Sequence, residues 1–325
     1  MPFSRIDAAR MTLVMNQLQT SLGWRDREAL AETIARTTAG MIPSAPVSDP
    51  AVQRSAEALR QNGIARLGPV LTPAQVGEIH AYLRSKPCFT GHVPAQGDGK
   101  PRTVEECSTL SNLASYQLAD VLGAPHLLEL ANRPDILGIV ESYLGCVPTL
   151  YSVNFFWSFP NRAERFVSTQ NFHRDFDDFR FCTLFLFLTD IRSDDGAHYY
   201  IRGTHRRDVT EKAWRERYPD PKPYAIDKLF ERITYHDPDI EHLFPGAIEP
   251  VLGAAGSAVF EDTYGLHKGD IPKSNRLLGW MRYGLYQNAA TYSDRLAGPA
   301  PASVGVGRIP ETPRHKFVNR LLVSP

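Results

Sequence analysis

The stretch NFHRDFDD at residues 171–178 decides the fold, and an apolar run at residues 181–188 follows it. Side chains alternate faces along an extended strand, so His173 and Asp175 point to one side while Arg174 points to the other. An imidazole and a carboxylate on one face supply two ligands for a metal ion. A complete site then needs a third ligand from elsewhere in the chain.

The best candidate for the third ligand is His267, which comes just after another predicted strand. Two histidines and one carboxylate on one face of an octahedral ion leave three positions open, as in non-haem Fe(II) oxygenases. The HxD spacing alone is weak evidence, because it occurs by chance in many proteins. We therefore take His173, Asp175 and His267 together as the candidate metal ligands.

A basic residue, Arg276, begins the strand predicted after His267. An arginine at this place is suited to hold a carboxylate with two parallel hydrogen bonds. Arg282 is the rival, because it lies six residues further along and so on the same face of that strand. The alternative for Arg276 is a solvated cation at the end of a strand.

Composition excludes some classes of partner. The 325 residues are 42% hydrophobic and 22% charged, as in ordinary globular proteins. Lys plus Arg equals Asp plus Glu at 36 each, so no overall field concentrates nucleic acid or an anionic membrane surface. We expect neither a nucleic-acid partner nor a membrane partner.

The N-terminus and the cysteines indicate the compartment. The first residues lack a charged region followed by a long apolar one, which argues against a secretory signal. No run approaches the ~18 apolar residues that a membrane-spanning helix needs. Cys88, Cys107, Cys146 and Cys182 are widely separated and form no CxxC pair. We expect a cytoplasmic protein with reduced, mostly buried thiols.

Residues 1–50 are expected to form a helical arm and a proline-rich connection. Leu13 and Met15 belong to one segment with helical spacing, and a second such segment follows up to about residue 40. Prolines then break the pattern near residues 43–50. Three roles remain open for the arm: a cap over a pocket, a contact in a homodimer, or a packing extension.

Residues 51–290 are expected to form the main domain, and residues 291–325 a C-terminal tail. Thr72 caps a helix that starts with proline, and a helical stretch covers residues 127–144. Short segments rich in aromatic and β-branched residues dominate from residue 149 onward, with turns between them. This spacing favours a sandwich or a barrel.

Residues 206–245 interrupt the strand pattern with charged, aromatic and helical sequence. An excursion of this length inside a β core is usually functional, and its composition predicts a structured cover. The segment HDPDIEH at residues 236–242 is dense in metal-ligating side chains, but Pro238 argues against a continuous helix that presents them together. We expect a capped turn there.

Over about residues 58–286 the order of these motifs resembles the phytanoyl-CoA dioxygenase-like family of Fe(II)/2-oxoglutarate-dependent oxygenases. QNGIARL at residues 61–67 is similar to its opening strand, and LLELANRPDIL at 127–137 to the helix before its core. GAHYYIRGTHR at 196–206 resembles the family's PGSH turn. The HxD pair at 173–175 and the region from His267 to Arg276 resemble its ligand and co-substrate motifs.

This resemblance implies an α+β protein, mainly β with flanking helices, built on a double-stranded β-helix or jelly-roll (cupin-like) core. It implies that His173, Asp175 and His267 bind Fe(II). The implied reaction uses 2-oxoglutarate and O2, oxidises a C–H bond of a small-molecule substrate, most simply by hydroxylation, and releases succinate and CO2.

The resemblance also implies a co-substrate site. Arg276 would bind the C5 carboxylate of 2-oxoglutarate, and Thr183 and Phe155 fall at strand positions that line the co-substrate in this family. The turn departs from the family pattern, since Arg202 and Thr204 stand where Pro and Ser are favoured, so no role is carried over to His205.

Two other classes of function stay open. One is a cupin-like barrel whose metal is structural, serving as a binding or regulatory module. The other is a metal-dependent isomerase or lyase that uses no O2. Asp175 stands where a halogenase would have a small residue, which disfavours halogenation, and fold analogy does not select a substrate.

Overall fold

In this computed structural model, the chain is described at residues 18, 21–44, 47–160, 168–218, 234–285 and 300–323. Several predictions fall outside these ranges. They concern Leu13 and Met15 of the first predicted helix, residues 219–233 of the predicted cover, residues 286–290 at the end of the predicted main domain, and residues 291–299 at the start of the predicted tail.

The described residues contain ten α-helices, most of which come before residue 149. They are α1 (Trp24–Met41), α2 (Pro50–Asn62), α3 (Pro73–Arg84), α4 (Val104–Leu110), α5 (Leu118–Gly123), α6 (Leu127–Ala131), α7 (Pro134–Leu144), α8 (Arg207–Arg217), α9 (Asp237–Leu243) and α10 (Pro313–Asn319). The predicted start of α3 is confirmed, because the Thr72 hydroxyl accepts a hydrogen bond from the Gln75 amide at 3.3 Å. Gly145 ends α7 in the left-handed region at φ 84°, where glycine is favoured.

Helix α9 differs from the predicted capped turn. Pro238 occupies its first turn, where a missing N–H removes no helical hydrogen bond. The sequence argument against a continuous helix therefore failed at this position.

The strands of the described residues form two sheets with antiparallel pairing. They are β1 (Ile64–Pro69), β2 (Cys88–Thr90), β3 (Leu113–Tyr116), β4 (Thr149–Ser158), β5 (Phe172–His173), β6 (Phe181–Phe187), β7 (His198–Tyr200), β8 (Thr234–Tyr235), β9 (Glu249–Val251), β10 (Ser257–Glu261), β11 (His267–Gly269) and β12 (Arg276–Gly284). The seven-stranded sheet has the order β1-β10-β6-β12-β4-β3-β2, and the five-stranded sheet has the order β8-β5-β11-β7-β9. The predicted α+β fold with a jelly-roll core is confirmed.

The two faces of the seven-stranded sheet have different partners. Leu186 of β6 and Met281 of β12 belong to the main core with the helices. Phe185 and Trp280, next to them in sequence, point the other way and pack with Tyr200 of the five-stranded sheet. Because side chains alternate along a strand, a shift of one residue moves a side chain from the helical core to the space between the sheets.

Segments at both ends of the chain pack on this core. Ala31 and Ala35 of α1 are buried, and the Arg27 guanidinium donates to the Asp178 carbonyl at 2.9 Å. Val318 of α10 is also buried in the main core. The division into an arm (1–50), a main domain (51–290) and a tail (291–325) stays a proposal, as does a homodimer contact through the arm.

Two predictions about the chain as a whole concern its cysteines and membranes. All four cysteines, Cys88, Cys107, Cys146 and Cys182, are buried and free, so the predicted burial is confirmed, and their reduced state stays a prediction. None of the helices in the described ranges is long and apolar enough to cross a membrane.

Candidate active site

The three predicted metal ligands meet on the wall of a cavity between the sheets. His173 ends β5 and His267 begins β11, and these residues are direct neighbours across the two strands. Their ring centroids lie 4.2 Å apart. Asp175 Oδ1 lies 3.9 Å from His173 Nε2, and Asp175 Oδ2 lies 3.8 Å from His267 Nε2. One ligand atom from each of the three side chains lies within 4.8 Å of the others.

Backbone carbonyls orient both imidazole rings. His173 Nδ1 lies 2.9 Å from the Asn171 carbonyl oxygen, and His267 Nδ1 lies 2.9 Å from the Gly265 carbonyl oxygen. A carbonyl oxygen only accepts, so each Nδ1 carries a proton, and in the neutral ring Nε2 then has the lone pair that a metal ion needs. This pattern of outer hydrogen bonds is typical of histidines that bind metal ions.

The local charges favour the ligand forms of these side chains. Burial alone would raise the pKa of Asp175, but the Arg282 guanidinium and the two histidines outweigh it and hold that pKa well below its usual range. Burial, with repulsion from His173, lowers the pKa of His267 well below its ordinary value. An ionised carboxylate beside the neutral imidazole of His267 and a second histidine is a donor set that fits a divalent transition-metal ion.

The Arg282 guanidinium is hydrogen-bonded to the carboxylate of Asp175. Its Nη1 donates to Asp175 Oδ2 at 3.1 Å and also to Asp177. The Tyr151 hydroxyl donates to Asp177 Oδ2 at 2.8 Å, which fixes the second acceptor. Arg282 therefore serves two carboxylates, and we assign it to positioning Asp175 rather than to holding a co-substrate.

Arg276 is the other cation that lines the cavity. It is buried, its Nη1 donates to the Gly196 carbonyl, and its Nε has no partner among the described residues. Burial lowers its pKa to about 10, and Asp195 and Asp270 partly oppose that shift. Arg276 stays cationic at neutral pH and keeps donor capacity for an anionic group in the cavity.

The cavity has a volume of about 320 Å³ and a wall that combines aromatic and aliphatic side chains with polar ones, the latter including Gln96, Asn112, Ser158, Thr169, Gln170 and Asp270. Phe156, Phe159, Phe185, Phe187 and Trp280 contribute rings to it, and Val93, Leu113, Val259 and Leu278 add aliphatic surface. The apolar part of such a wall can pack against a ligand, and the polar side chains can orient it.

Thr183 and Phe155, the two other residues predicted to line the co-substrate, lie on opposite faces of the seven-stranded sheet. Thr183 lies on the face of β6 that points between the sheets, directly opposite Arg282 on β12, and its hydroxyl is buried without a partner among the described residues. Phe155 lies on the other face of β4, within the helical core and opposite Gly279. The structure does not bring Phe155 to the cavity; its neighbour Phe156 lines it instead.

Replacing Phe155 by alanine should lower stability without weakening 2-oxoglutarate binding. The ring is fully buried in the main core, so we expect a loss of about 3–5 kcal/mol in the free energy of unfolding. Urea denaturation measures this loss, and a 2-oxoglutarate titration of the folded variant provides the second readout. A stable variant with weakened co-substrate binding would restore Phe155 to the site.

Two cavity histidines escaped the sequence predictions. His198 of β7 pairs with the fully buried Glu261 at 2.8 Å between Nε2 and Oε2, and its ring centroid lies 5.6 Å from that of His267. His92 stacks near Trp280 with the ring centroids 5.9 Å apart. His198 lies within residues 196–206, whose turn motif is visible in the sequence. The glycine- and proline-rich residues around His92 contain no motif that would indicate a functional site.

Residues 59–276 match the family described as Phytanoyl-CoA dioxygenase (PhyH). Among solved structures, the chain is similar to SnoN, a non-heme alpha ketoglutarate dependent epimerase from nogalamycin biosynthesis, at 18% identity and a TM-score of 0.46, over 73% of this chain and 84% of that one. EctD from S. alaskensis, solved with 2-oxoglutarate and 5-hydroxyectoine, has 17% identity and a TM-score of 0.47, over 75% of this chain and 79% of that one.

HygX from Streptomyces hygroscopicus, solved with nickel and 2-oxoglutarate, has 15% identity and a TM-score of 0.45, over 79% of this chain and 96% of that one. No curated protein matches the chain. Likeness at these identities concerns the fold alone. The family match, in contrast, spans more than half of the 325 residues. The chain therefore belongs to the phytanoyl-CoA dioxygenase (PhyH) family of Fe(II)/2-oxoglutarate-dependent oxygenases.

Proposed function

We propose that this protein is an Fe(II)/2-oxoglutarate-dependent dioxygenase that hydroxylates a C–H bond of a small molecule and releases succinate and CO2. The observation that carries the proposal is the convergence of His173, Asp175 and His267 within 4.8 Å on the wall of a cavity that Arg276 also lines. Family membership supports the same chemistry.

The residues divide the work in this proposal. His173, Asp175 and His267 would hold Fe(II) and leave adjacent positions open. The iron, with 2-oxoglutarate and O2, would supply the oxidant, and the protein would supply orientation and exclusion of water. Arg282 keeps the ligand carboxylate ionised and in place.

Arg276 would bind the C5 carboxylate of 2-oxoglutarate. Its burial supports this role, because charge-assisted hydrogen bonds are stronger where water is excluded. The unpartnered Thr183 hydroxyl remains a proposed co-substrate neighbour. Phe156 replaces Phe155 as the aromatic residue of β4 proposed to border the co-substrate.

An anaerobic titration separates this function from its alternatives. We expect Fe(II) followed by 2-oxoglutarate to give a weak visible charge-transfer band, and O2 then to give succinate, faster when a substrate from a metabolite screen is present. A structural metal site would bind iron without the band. An O2-independent isomerase or lyase would convert its substrate anaerobically and without consuming 2-oxoglutarate.

A further inference from the structure

His92 lies at the cavity wall, in the segment after β2. Its backbone amide donates to Gln96 Oε1 at 3.2 Å, and its carbonyl accepts from Asn154 Nδ2 at 2.7 Å. Its ring lies 4.8 Å from that of Phe156 and 5.9 Å from that of Trp280, between centroids. The backbone contacts place His92 at the cavity wall, and its ring packs against both aromatic neighbours.

Both ring nitrogens of His92 are buried and have no hydrogen-bond partner among the described residues. Native proteins pair the large majority of their buried polar atoms, so two unpaired nitrogens on one rigid ring need an explanation. Packing alone would be served better by a phenylalanine of similar shape. The cavity that His92 lines is the place from which a partner for these nitrogens would come.

The surroundings define the chemistry of that partner. Burial, together with repulsion from Arg282 and His173, lowers the pKa of His92 to about 4, so the ring is neutral at pH 7 and offers one donor and one acceptor. Arg276 and Arg282 are the only Arg or Lys side chains among the described lining residues. Arg282 is engaged by two carboxylates, and Arg276 is assigned to the co-substrate.

We propose that His92 is a specificity-determining residue that hydrogen-bonds a hydroxyl or carbonyl group of a ring-containing substrate without an anionic group, whose ring packs against Phe156 and Trp280. This inference rests on the proposed function, because the same cavity must admit iron and 2-oxoglutarate. The neutral imidazole can donate to a carbonyl or hydroxyl oxygen and can accept from a hydroxyl group. The aromatic wall selects a flat, apolar skeleton.

A matched pair of probes tests this contact. Indan-2-ol and indane have the same ring skeleton and differ by one hydroxyl group. Their dissociation constants are measured by ligand-observed NMR on protein loaded with diamagnetic Zn(II) and 2-oxoglutarate. The wild-type protein should bind indan-2-ol about 5-fold or more tightly than indane, because the imidazole replaces the hydrogen bonds that the hydroxyl group loses to water.

His92→Phe keeps the ring shape and removes both nitrogens. We expect it to reduce the preference for the alcohol about 10-fold, since a buried hydroxyl is then left unpaired. His92→Asn, which retains a donor and an acceptor, should keep part of the preference and covers the case in which the phenylalanine variant fails to fold. His236→Phe replaces an exposed histidine and should leave the preference unchanged.

The outcomes separate this inference from the proposed function. A preference that is absent from the wild type, or unchanged in both His92 variants, overturns the role of His92, as does failure of both probes to bind. Loss of the Fe(II)/2-oxoglutarate band in a folded His92 variant would overturn it too, by assigning His92 to the co-substrate. A wild-type protein without that band overturns the proposed function, whatever the probes do.

Discussion

Asp175→Ala is expected to abolish iron binding and succinate release together. The substitution removes the only anionic member of the triad and leaves Arg282 as an uncompensated positive charge beside the metal position. Loss of an outer partner of a metal ligand already costs about 10–100-fold in affinity, so loss of the ligand itself should exceed that range. Anaerobic Fe(II) titration and a succinate assay measure the two effects.

Asp194→Ala is the matched control for this experiment. Asp194 is an exposed aspartate in the turn before β7, and its replacement should change neither iron affinity nor turnover. Succinate release by the Asp175 variant at the wild-type rate would refute the assignment of Asp175 as a ligand.

Arg276→Gln is expected to weaken 2-oxoglutarate binding by at least about 30-fold while iron affinity stays the same. Removing one member of a buried, hydrogen-bonded charge pair costs about 2–5 kcal/mol, much of it from the charge left without a partner. Glutamine keeps the polarity and much of the length of the side chain, so the loss reports the guanidinium. The dissociation constant is read from the charge-transfer band of the iron-loaded protein.

Arg282→Gln is expected to show the opposite pattern, with weaker iron binding and little change in 2-oxoglutarate binding. Because Arg282 holds Asp175, its loss should lower iron affinity about 10–100-fold, and once iron is saturating the affinity for 2-oxoglutarate should change little. If the two variants exchanged these phenotypes, Arg282 and not Arg276 would hold the co-substrate.

The metal triad was predictable because its signal is local. Two residues separated by one share a face wherever the segment is extended, so His173 and Asp175 were expected on one side without knowledge of the rest of the fold. The pairing with His267 required only that two strands be neighbours. The Thr72 cap of α3 was predictable for the same reason, since its partner lies three residues away.

The sequence does not indicate which face of a strand points into the cavity. Phe155 and Phe156 are both aromatic and both lie in β4, and no motif indicates which of them faces the helices. The contact of Phe155 with Gly279 settles it, because the ring covers a position where even a Cβ atom would clash. That complementarity is a long-range feature and is invisible to a local pattern.

The segment after β2 shows the limit of composition as a guide. The glycines and prolines at residues 91–102 are typical of an exposed loop, and much of this segment is exposed, yet Val93 is only 3% exposed and His92 lines the cavity. Composition identifies where the chain turns, but not what the turn covers. Strands β5 and β11, with two and three residues, were likewise too short for any periodicity to appear.

The most direct test of the account is anomalous diffraction at the iron edge from crystals soaked anaerobically with Fe(II). We predict one strong peak bound by Nε2 of His173, Nε2 of His267 and the carboxylate of Asp175. A peak bound by other side chains would contradict the central claim. So would a bound iron ion that is not coordinated by all three of these side chains.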